Sequence, residues 1–460
     1  MAVQPATKSD YGAAPLGLNV TRDLAAFLAR FRFEDLPEAA VHEARRGVLD
    51  WIGCALAGSR HRTVETLLPV LKMLNAQPQA TVFGHKLKLG LTEASLANGQ
   101  MGHVLDFDDT HMGGVVLHAS SPIFAALFAL CERGNVDGRA LVCAYAAGFE
   151  AGVRTGQAAP GHHDGGWHLT GTIGTIAAGA AAGKLLGLDA QQMTHALGIA
   201  ATQAAGMQQN RGTMCKSFHA GRAASNGLLA ALLAQGGFDS SEEIIEGKRG
   251  FARIYSTIAR PEAVLDQLGT RWEIERNGYK PYACGVVLHP ILDAMVALGQ
   301  QRALKPDGIA RIEARVLPLA VRITGLGDPK TGLQSKFSIY HAGAVAYLDR
   351  GAGIAQFSDA RASAPDVVAL RGKIEVTTDE SFRKDQAQAT LVTVSGERVE
   401  ARVAHASGTV DNPMSDRAIE NKFLANAAPV IGDARARQIA ATAWRLDKLG
   451  DARELIDLCA

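Results

Sequence analysis

The side chains best suited to acid–base chemistry in this sequence are concentrated in four short polar segments. The first is DFDDTH at 106–111, followed by HASSP at 118–122. Three carboxylates beside a histidine can bind a metal ion through oxygen ligands or orient a catalytic imidazole; a polar loop after a helix is the plainer alternative. Because the dipole of a helix disfavours carboxylates at its C-terminus, this cluster favours a functional role.

The second segment, GHHDGGWHLTGT at 161–172, leads into a helix of small residues. Free N–H groups at the beginning of that helix can hold a carboxylate, and His168 beside them can exchange protons near neutral pH. A flexible loop before an ordinary helix is the structural alternative. His162 and His163 are weaker candidates, better suited to a solvated loop.

The third and fourth segments supply cations. In NRGTMCKSFHAGR at 210–222, Arg211 and Lys216 precede a helix, which indicates an anion-binding loop or, alternatively, a solvated basic loop. Cys215 is a weaker candidate for a thiol nucleophile, because Lys216 can lower the pKa of its thiol. In NGYKPYAC at 277–284, the bond between Lys280 and Pro281 predicts an extended turn that can direct Lys280 into a cleft.

Composition and missing motifs narrow the possible functions. The chain has 460 residues, 47% hydrophobic and 20% charged, which is typical of a folded globular protein and excludes disorder as its main state. Its 47 Lys+Arg against 46 Asp+Glu leave a formal charge of +1, which argues against a nucleic-acid partner. The sequence contains no P-loop, HExxH or GxSxG motif, and no supported dinucleotide-binding pattern.

The sequence also predicts a cytoplasmic protein. It contains no membrane-spanning run and no evident signal peptide, and its first 18 residues suggest a loose arm. The six cysteines include no C-x-x-C pair, so buried free thiols in a reducing compartment are expected.

Helical periodicity dominates the first 270 residues, with predicted helices near 91–105, 121–133, 139–156, 171–186, 190–206 and 219–235. After Trp272, alternation predicts strands at 311–318 and 373–378. It also predicts a hairpin over 390–403, with Val392 and Val394 on the face of Val399, Ala401 and Val403. Helices resume after His405.

This order predicts a mainly α fold. An all-helical domain is built from both chain ends, residues 1–270 and 405–460, and a smaller α+β domain, residues 271–404, is inserted between them. A cleft between two such bodies is a natural ligand site. Histidine, lysine, aspartate and threonine around it suit proton transfer at a carbon beside a carboxylate of a small anion.

Six stretches, in order along nearly the whole chain, resemble the MmgE/PrpD family. They are DFDDTH…HASSP (106–122), GWHLTGTIGT (166–175), KSFHAGRAASNGLLAALLAQGGF (216–238), YKPYACGVVLHPILDA (279–294), KFSIYHAGAVAYLDRG (336–351) and DNPMSDRAIENKF (411–423). The family includes 2-methylcitrate dehydratase, cis-aconitate decarboxylase and iminodisuccinate epimerase. The resemblance implies a helical domain with an α+β lid, a homodimer, and neither a metal nor an organic cofactor.

The resemblance to the decarboxylase-type site also implies roles for individual residues. His168 is the favoured proton-transfer residue. Lys216 and Lys280 bind carboxylates and stabilise negative charge. Asp106, Thr110 and His118 orient the reacting groups and relay protons. The spacer after Thr110 is longer than in the family pattern, so His111 competes with His118. The family tyrosine position falls on His341, with Tyr340 one place earlier. Arg211 is a further candidate for binding the substrate.

The function predicted from these residues is that of a cofactor-independent lyase, a hydro-lyase acting on a small di- or tricarboxylate as 2-methylcitrate dehydratase does. Three alternatives stay open: an epimerase or isomerase of an amino- or imino-dicarboxylate, a decarboxylase of a cis-aconitate-like substrate, and a binding protein with a decayed site. Dehydration, decarboxylation and epimerisation share a carbanion-like carbon beside a carboxylate. The choice among them therefore depends on how the catalytic groups are placed around the substrate, within about 1 Å. The expected partner is a small polycarboxylate, with no nucleic acid and no membrane.

Overall fold

A computed structural model of the chain describes residues 17–460, so most of the predicted N-terminal arm lies outside the described residues. The helices are α1 (Val20–Arg30), α2 (Glu38–Gly58), α3 (Arg62–Met73), α4 (Leu91–His103), α5 (Ser120–Cys131), α6 (Gly138–Ala158), α7 (Leu169–Leu185), α8 (Ala190–Ala201), α9 (Cys215–Gln235), α10 (Phe251–Tyr255), α11 (His289–Gln301), α12 (Pro318–Thr324), α13 (Gly332–Ser335), α14 (Ile339–Asp349), α15 (Asp359–Ala362), α16 (Pro365–Arg371), α17 (Asp416–Ile431), α18 (Asp433–Ala443) and α19 (Arg453–Leu458). The strands are β1 (Ala80–Thr81), β2 (Lys88–Leu89), β3 (Thr110–His111), β4 (Asn277–Gly278), β5 (Ile309–Val316), β6 (Ile374–Thr378), β7 (Ala387–Thr393) and β8 (Arg398–Val403). The predicted mainly α class is confirmed.

One hydrophobic core joins helices from the two ends of the chain. It extends from Val20 to Tyr279 and resumes between Ile419 and Cys459. Glycines let its central helices approach closely. A Cβ atom at Gly99 of α4 would lie 2.9 Å from the Cα of Gly221 of α9, and one at Gly227 of α9 would lie 2.5 Å from the nitrogen of Gly179 of α7. The polar ends of α4, α7 and α9 are therefore held side by side.

A second core is built mainly from residues 283–401. Its sheet has the order β6-β5-β7-β8, in which β5 and β6 are parallel and the other pairs are antiparallel. Helices α11 and α14 pack together beside this sheet. Val104, Leu105 and Phe107, which follow α4, also belong to this second core. Asp106 therefore lies where the chain passes from α4, whose apolar residues belong to the first core, into the second core.

The hairpin predicted over 390–403 is present as β7–β8, and it turns at Gly396, whose φ of 87° suits glycine. The predicted face was wrong, however. Leu391 pairs with Val399 and Ala389 pairs with Ala401, whereas Val394 is 68% exposed. The reason is that Val394 lies in the turn beyond the end of β7, and the buried face of β7 is set by the core behind the sheet.

Two further expectations concern the cysteines and the membrane. All six cysteines are free thiols, and only Cys215 among them is exposed. Among residues 17–460, no helix combines the length and the apolar character needed to cross a bilayer.

Candidate active site

Asp106 lies between two lysines at the junction of the two cores. Lys280 Nζ is 2.6 Å from Oδ1 of Asp106, and Lys216 Nζ is 3.1 Å from Oδ2. Lys280 also donates to the carbonyl oxygen of Asp106 at 3.1 Å. Asp106 has a φ of 52°, uncommon for a residue with a side chain, and these contacts stabilise that conformation.

The two lysines differ in access to solvent. The Lys280 side chain is completely buried, whereas Lys216 retains 15% of its side-chain exposure. Burial would raise the pKa of Asp106, but Lys216 and Lys280 hold that pKa well below its usual value. Burial lowers the pKa of Lys216, although Asp106 opposes this. Of the two cations, Lys216 is therefore the more accessible to a ligand, while Lys280 holds Asp106 in place.

Three imidazoles gather beside this ion pair. The ring of His103 lies 4.8 Å from that of His118 and 5.3 Å from that of His168, measured between centroids, and the His118 and His168 rings are 6.4 Å apart. Burial first, and then Lys216, lowers the pKa of His168 well below 6.5. Burial and Lys280 have the same effect on the pKa of His118. Both rings are therefore neutral near pH 7 and able to exchange protons.

Hydrogen bonds orient the His118 and His103 rings. His118 Nδ1 lies 2.7 Å from the carbonyl oxygen of Asp109 and 2.9 Å from Thr110 Oγ1. Since a carbonyl only accepts, Nδ1 of neutral His118 carries the proton and Nε2 keeps its lone pair. His103 Nδ1 binds Asp108 Oδ2 at 2.8 Å. Thr110 and the carboxylate of Asp108 thus position the two rings.

The third carboxylate of the DFDDTH segment lies in its own polar network. Asp109 accepts hydrogen bonds from Ser120 Oγ at 2.7 Å and from Asn277 Nδ2 at 2.8 Å. Burial, together with the charge of Asp108, raises the pKa of Asp109 to about 7. The three aspartates therefore point to different partners and do not form a shared oxygen-ligand set.

Among residues 17–460, two groups of side chains have a spacing that suits a metal ion. His103, His118 and His168 place one nitrogen each within 4.8 Å of one another, and Asp385, His405 and Asp411 form the other group. The buried group is flanked by the ammonium groups of Lys216 and Lys280, whose charge opposes a bound cation. The arrangement therefore suits a carboxylate better than a metal ion.

His111, the rival of His118, lies in a different network. Its Nδ1 is 3.1 Å from the carbonyl oxygen of Val115, and its Nε2 is 3.2 Å from Oε2 of buried Glu273. Within the described residues it makes no hydrogen bond or ring contact with Asp106 or His168. The structure thus groups His118, and not His111, with the other predicted site residues.

The remaining predicted residues, His341, Tyr340 and Arg211, make hydrogen bonds or packing contacts of their own. His341 Nε2 binds the carbonyl oxygen of Gln356 at 2.8 Å, and Tyr340 is half-buried against the second core. Arg211 contacts His163 at 3.3 Å and lines a cavity of about 510 Å³ next to Trp167. Direct substrate contacts by these residues stay predictions.

Sequence reasoning missed four residues of this region. His103 ends α4 three positions before Asp106, and His219 follows Lys216 by one helical turn, so spacing along α4 and α9 was the available signal. Lys336 donates to the carbonyl oxygen of Leu105 at 2.6 Å. The ring of Phe337 has its centroid 5.9 Å from Lys216 Nζ. Lys336 and Phe337 begin the KFSIYH stretch that carries the family resemblance, but no local pattern places them at the site, because only tertiary folding brings them there.

Comparison with known proteins agrees with this architecture. The MmgE/PrpD N-terminal domain matches residues 22–263, and the MmgE/PrpD C-terminal domain matches residues 282–448. The chain belongs to the MmgE/PrpD family, which confirms the resemblance seen in its motifs.

Curated relatives of the chain are cis-aconitate decarboxylases. The chain is 29% identical to that of Aspergillus terreus over 95% of both chains. It is 26% identical to that of Homo sapiens, over 90% of this chain and 89% of the relative. Since decarboxylases are lyases, the predicted enzyme class, a lyase of this family, is confirmed.

A pair of variants separates the two candidate histidines. We expect His118→Asn to lower kcat by about 100-fold or more, because it removes a neutral imidazole from beside the ion pair. His111→Asn disturbs the bonds to Val115 and Glu273, neither of which is grouped with the ion pair, so it should reduce the unfolding temperature and leave kcat within about threefold of wild type. Steady-state kinetics and thermal unfolding of both variants check this, and the reverse ranking of their kcat values would assign the site to His111.

Proposed function

We propose that this chain is a cofactor-independent lyase that decarboxylates a small, cis-aconitate-like tricarboxylate. The observation that carries the proposal is the ammonium group of the partly exposed Lys216 side chain, held by Asp106 beside two neutral imidazoles. Whole-length similarity to decarboxylases supports the choice of reaction. The smaller α+β unit, residues 271–404, acts as a lid over the helical domain formed by residues 1–270 and 405–460.

In this proposal Lys216 binds a substrate carboxylate and stabilises the negative charge that develops beside it. The charge of Lys216 is already oriented by Asp106, so little reorganisation is needed during the reaction. Phe337, contributed by the inserted unit, lies over the Lys216 ammonium group and helps to exclude water from it. Lys280 acts through Asp106, because its side chain is completely buried.

Decarboxylation breaks the bond between a carboxylate carbon and its CH₂ group. The electron pair of that bond forms a new double bond, and the electrons of the existing double bond move to the carbon beside another carboxylate. That carbon takes a proton from His168, whose Nε2 is buried and has no hydrogen-bond partner within residues 17–460. Carbon dioxide leaves, and each turnover consumes one proton from solvent.

Dehydration, the reaction of 2-methylcitrate dehydratase, is the second candidate. The pair of neutral imidazoles supports it, because His168 can accept a proton from carbon while another acid protonates the departing hydroxide. Epimerisation of an imino- or amino-dicarboxylate uses the same proton acceptor but returns the proton to the opposite face.

Product analysis by NMR in D₂O tests these reactions with one enzyme preparation. We expect cis-aconitate to give carbon dioxide and a decarboxylated product that carries one deuterium on carbon. Release of water from 2-methylcitrate without carbon dioxide would show that the enzyme is a dehydratase and not a decarboxylase. Deuterium at a stereocentre of an unchanged dicarboxylate would indicate an epimerase. Binding measured by thermal shift without any turnover would show a decayed site and overturn the proposed function.

The homodimer and the cytoplasmic location stay predictions. A sizing experiment tests the first of them, since a stable species of 48.4 kDa, the mass of one chain, would contradict a dimer.

A further inference from the structure

His168 is hydrogen-bonded to a second histidine that the proposed reaction does not yet use. Nδ1 of His168 lies 3.0 Å from Nδ1 of His219, which is on α9 one turn after Lys216. Two ring nitrogens can share a hydrogen bond only when one carries the proton and the other accepts it. The protonated nitrogen of one ring therefore determines the tautomer of the other.

Gly206 contacts both histidines of this pair and fixes their positions. Its carbonyl oxygen accepts the backbone N–H of His168 at 3.0 Å, and its φ is 140°. A Cβ atom at position 206 would lie 3.3 Å from Nδ1 of His219. A residue without a side chain at this position thus fixes the His168 backbone and leaves room for the second ring.

The two ends of the pair face different surroundings. His168 Nε2 is buried without a protein partner among the described residues, on the side of His103 and His118. His219 is 8% exposed, and its Nε2 has no hydrogen bond to a described residue and is not enclosed by protein. The hydrogen-bonded rings therefore form a path of four nitrogen atoms between the candidate site and solvent.

We propose that His219 relays protons between solvent and His168. This inference rests on the proposed acid–base function and holds for each of its candidate reactions. For decarboxylation, His168 Nε2–H gives its proton to the substrate carbon while His219 Nδ1–H passes its own proton to His168 Nδ1. In the same step, a water molecule or buffer acid protonates His219 Nε2. Each ring loses one proton and gains one, so the net change is one solvent proton transferred to carbon.

The relay is suited to a site that disfavours a charged imidazole. Burial lowers the pKa of His219 to about 4, and burial together with Lys216 keeps His168 neutral as well. Because each proton enters one nitrogen of a ring as another leaves, no imidazolium has to accumulate beside Lys216. After product release, the two tautomers are restored by proton exchange with water at the two ends. His219 does not touch the substrate in this proposal and acts only through His168.

The variant His219→Asn separates relay from simple orientation. The asparagine amide can hydrogen-bond to His168 Nδ1 but cannot pass a proton onward. We expect kcat to fall about tenfold or more with KM within about twofold, and imidazole added to the buffer to restore part of the lost kcat. Ser217→Ala on the same helix is the control, since within residues 17–460 Ser217 Oγ bonds only to the carbonyl oxygen of Met214, at 3.0 Å. It should keep wild-type kcat and show no response to imidazole.

Other outcomes would overturn the relay. A folded His219→Asn enzyme with wild-type kcat would show orientation alone, and a loss of kcat that imidazole does not restore would show a structural role. Tautomers of ¹⁵N-labelled histidines, measured by NMR without substrate, test the pair even if the wild type converts no polycarboxylate. We expect a proton on only one of the two Nδ1 atoms. For decarboxylation it is on His219, with His168 protonated on Nε2, and for a reaction in which His168 accepts the proton it is on His168. Protons on Nε2 of both rings would exclude the relay while leaving the proposed function to its own product assay.

Discussion

Replacing His168 by asparagine is expected to lower kcat by about 10²- to 10⁴-fold, the usual contribution of one acid–base group. The substitution removes the titratable imidazole ring and keeps a polar side chain of similar reach. His168 occupies the N-cap of α7 without a capping hydrogen bond from its side chain, and asparagine is a favourable N-cap residue. Stability should therefore be retained, so the lost activity reports on chemistry.

The measurement is kcat and KM for the converted polycarboxylate, together with thermal unfolding. His195→Asn is the matched control, because this half-buried histidine lies on α8 and binds Ser240 rather than the site residues. It should retain kcat within about twofold of wild type. A stable His168→Asn enzyme with kcat within threefold of wild type would remove His168 from the reaction and overturn the proton-transfer assignment.

Replacing Lys280 by methionine is expected to destabilise the fold by about 3–5 kcal/mol, because it leaves the buried carboxylate of Asp106 without its closest cation. The carboxylate would keep Lys216 at 3.1 Å but lose the 2.6 Å contact. Since Asp106 orients Lys216, kcat/KM should fall as well. The double variant Asp106→Asn/Lys280→Met removes both charges of the shorter pair, so it should recover part of the stability and none of the activity.

Chemical denaturation and steady-state kinetics of these variants give the two readouts. Lys422→Met is the control, since Lys422 is another buried lysine and binds Asp50 Oδ1 at 2.6 Å. We expect it to lose comparable stability with a smaller loss of kcat in the fraction that remains folded. If Lys280→Met unfolds like wild type, or if the double variant regains full activity, the ion pair is not what organises this site.

The sequence predicted most of the long helices and the four strands of the main sheet, because apolar periodicity is a local property of the chain. It also indicated Asp106, His168, Lys216 and Lys280, since polar residues at the ends of apolar helices are few and stand out. It did not indicate that Lys280 is buried against Asp106. That contact depends on the short pairing of β3 with β4, in which Thr110 is opposite Gly278, and two-residue strands leave almost no pattern in a sequence.

The choice between His118 and His111 also depended on tertiary contacts and not on local sequence. Both follow the aspartate cluster at plausible spacing, and no local rule separates them. The fold separates them, since the β3–β4 pairing holds His111 beside Glu273, while the carbonyl of Asp109 fixes His118 near the other imidazoles. Likewise, the roles of His103 and His219 depend on which rings lie within hydrogen-bonding distance once the helices have packed.

The amino-acid sequence alone therefore determined the helical class, the family and the kinds of side chain available for chemistry, because each follows from residue type and short-range spacing. Only the tertiary structure decided which lysine a ligand can reach, which histidine pairs with which, and how their pKa values are displaced. Those properties depend on burial and on charges brought within a few ångströms by glycine-mediated packing of α4, α7 and α9, and a linear chain contains no direct record of such distances.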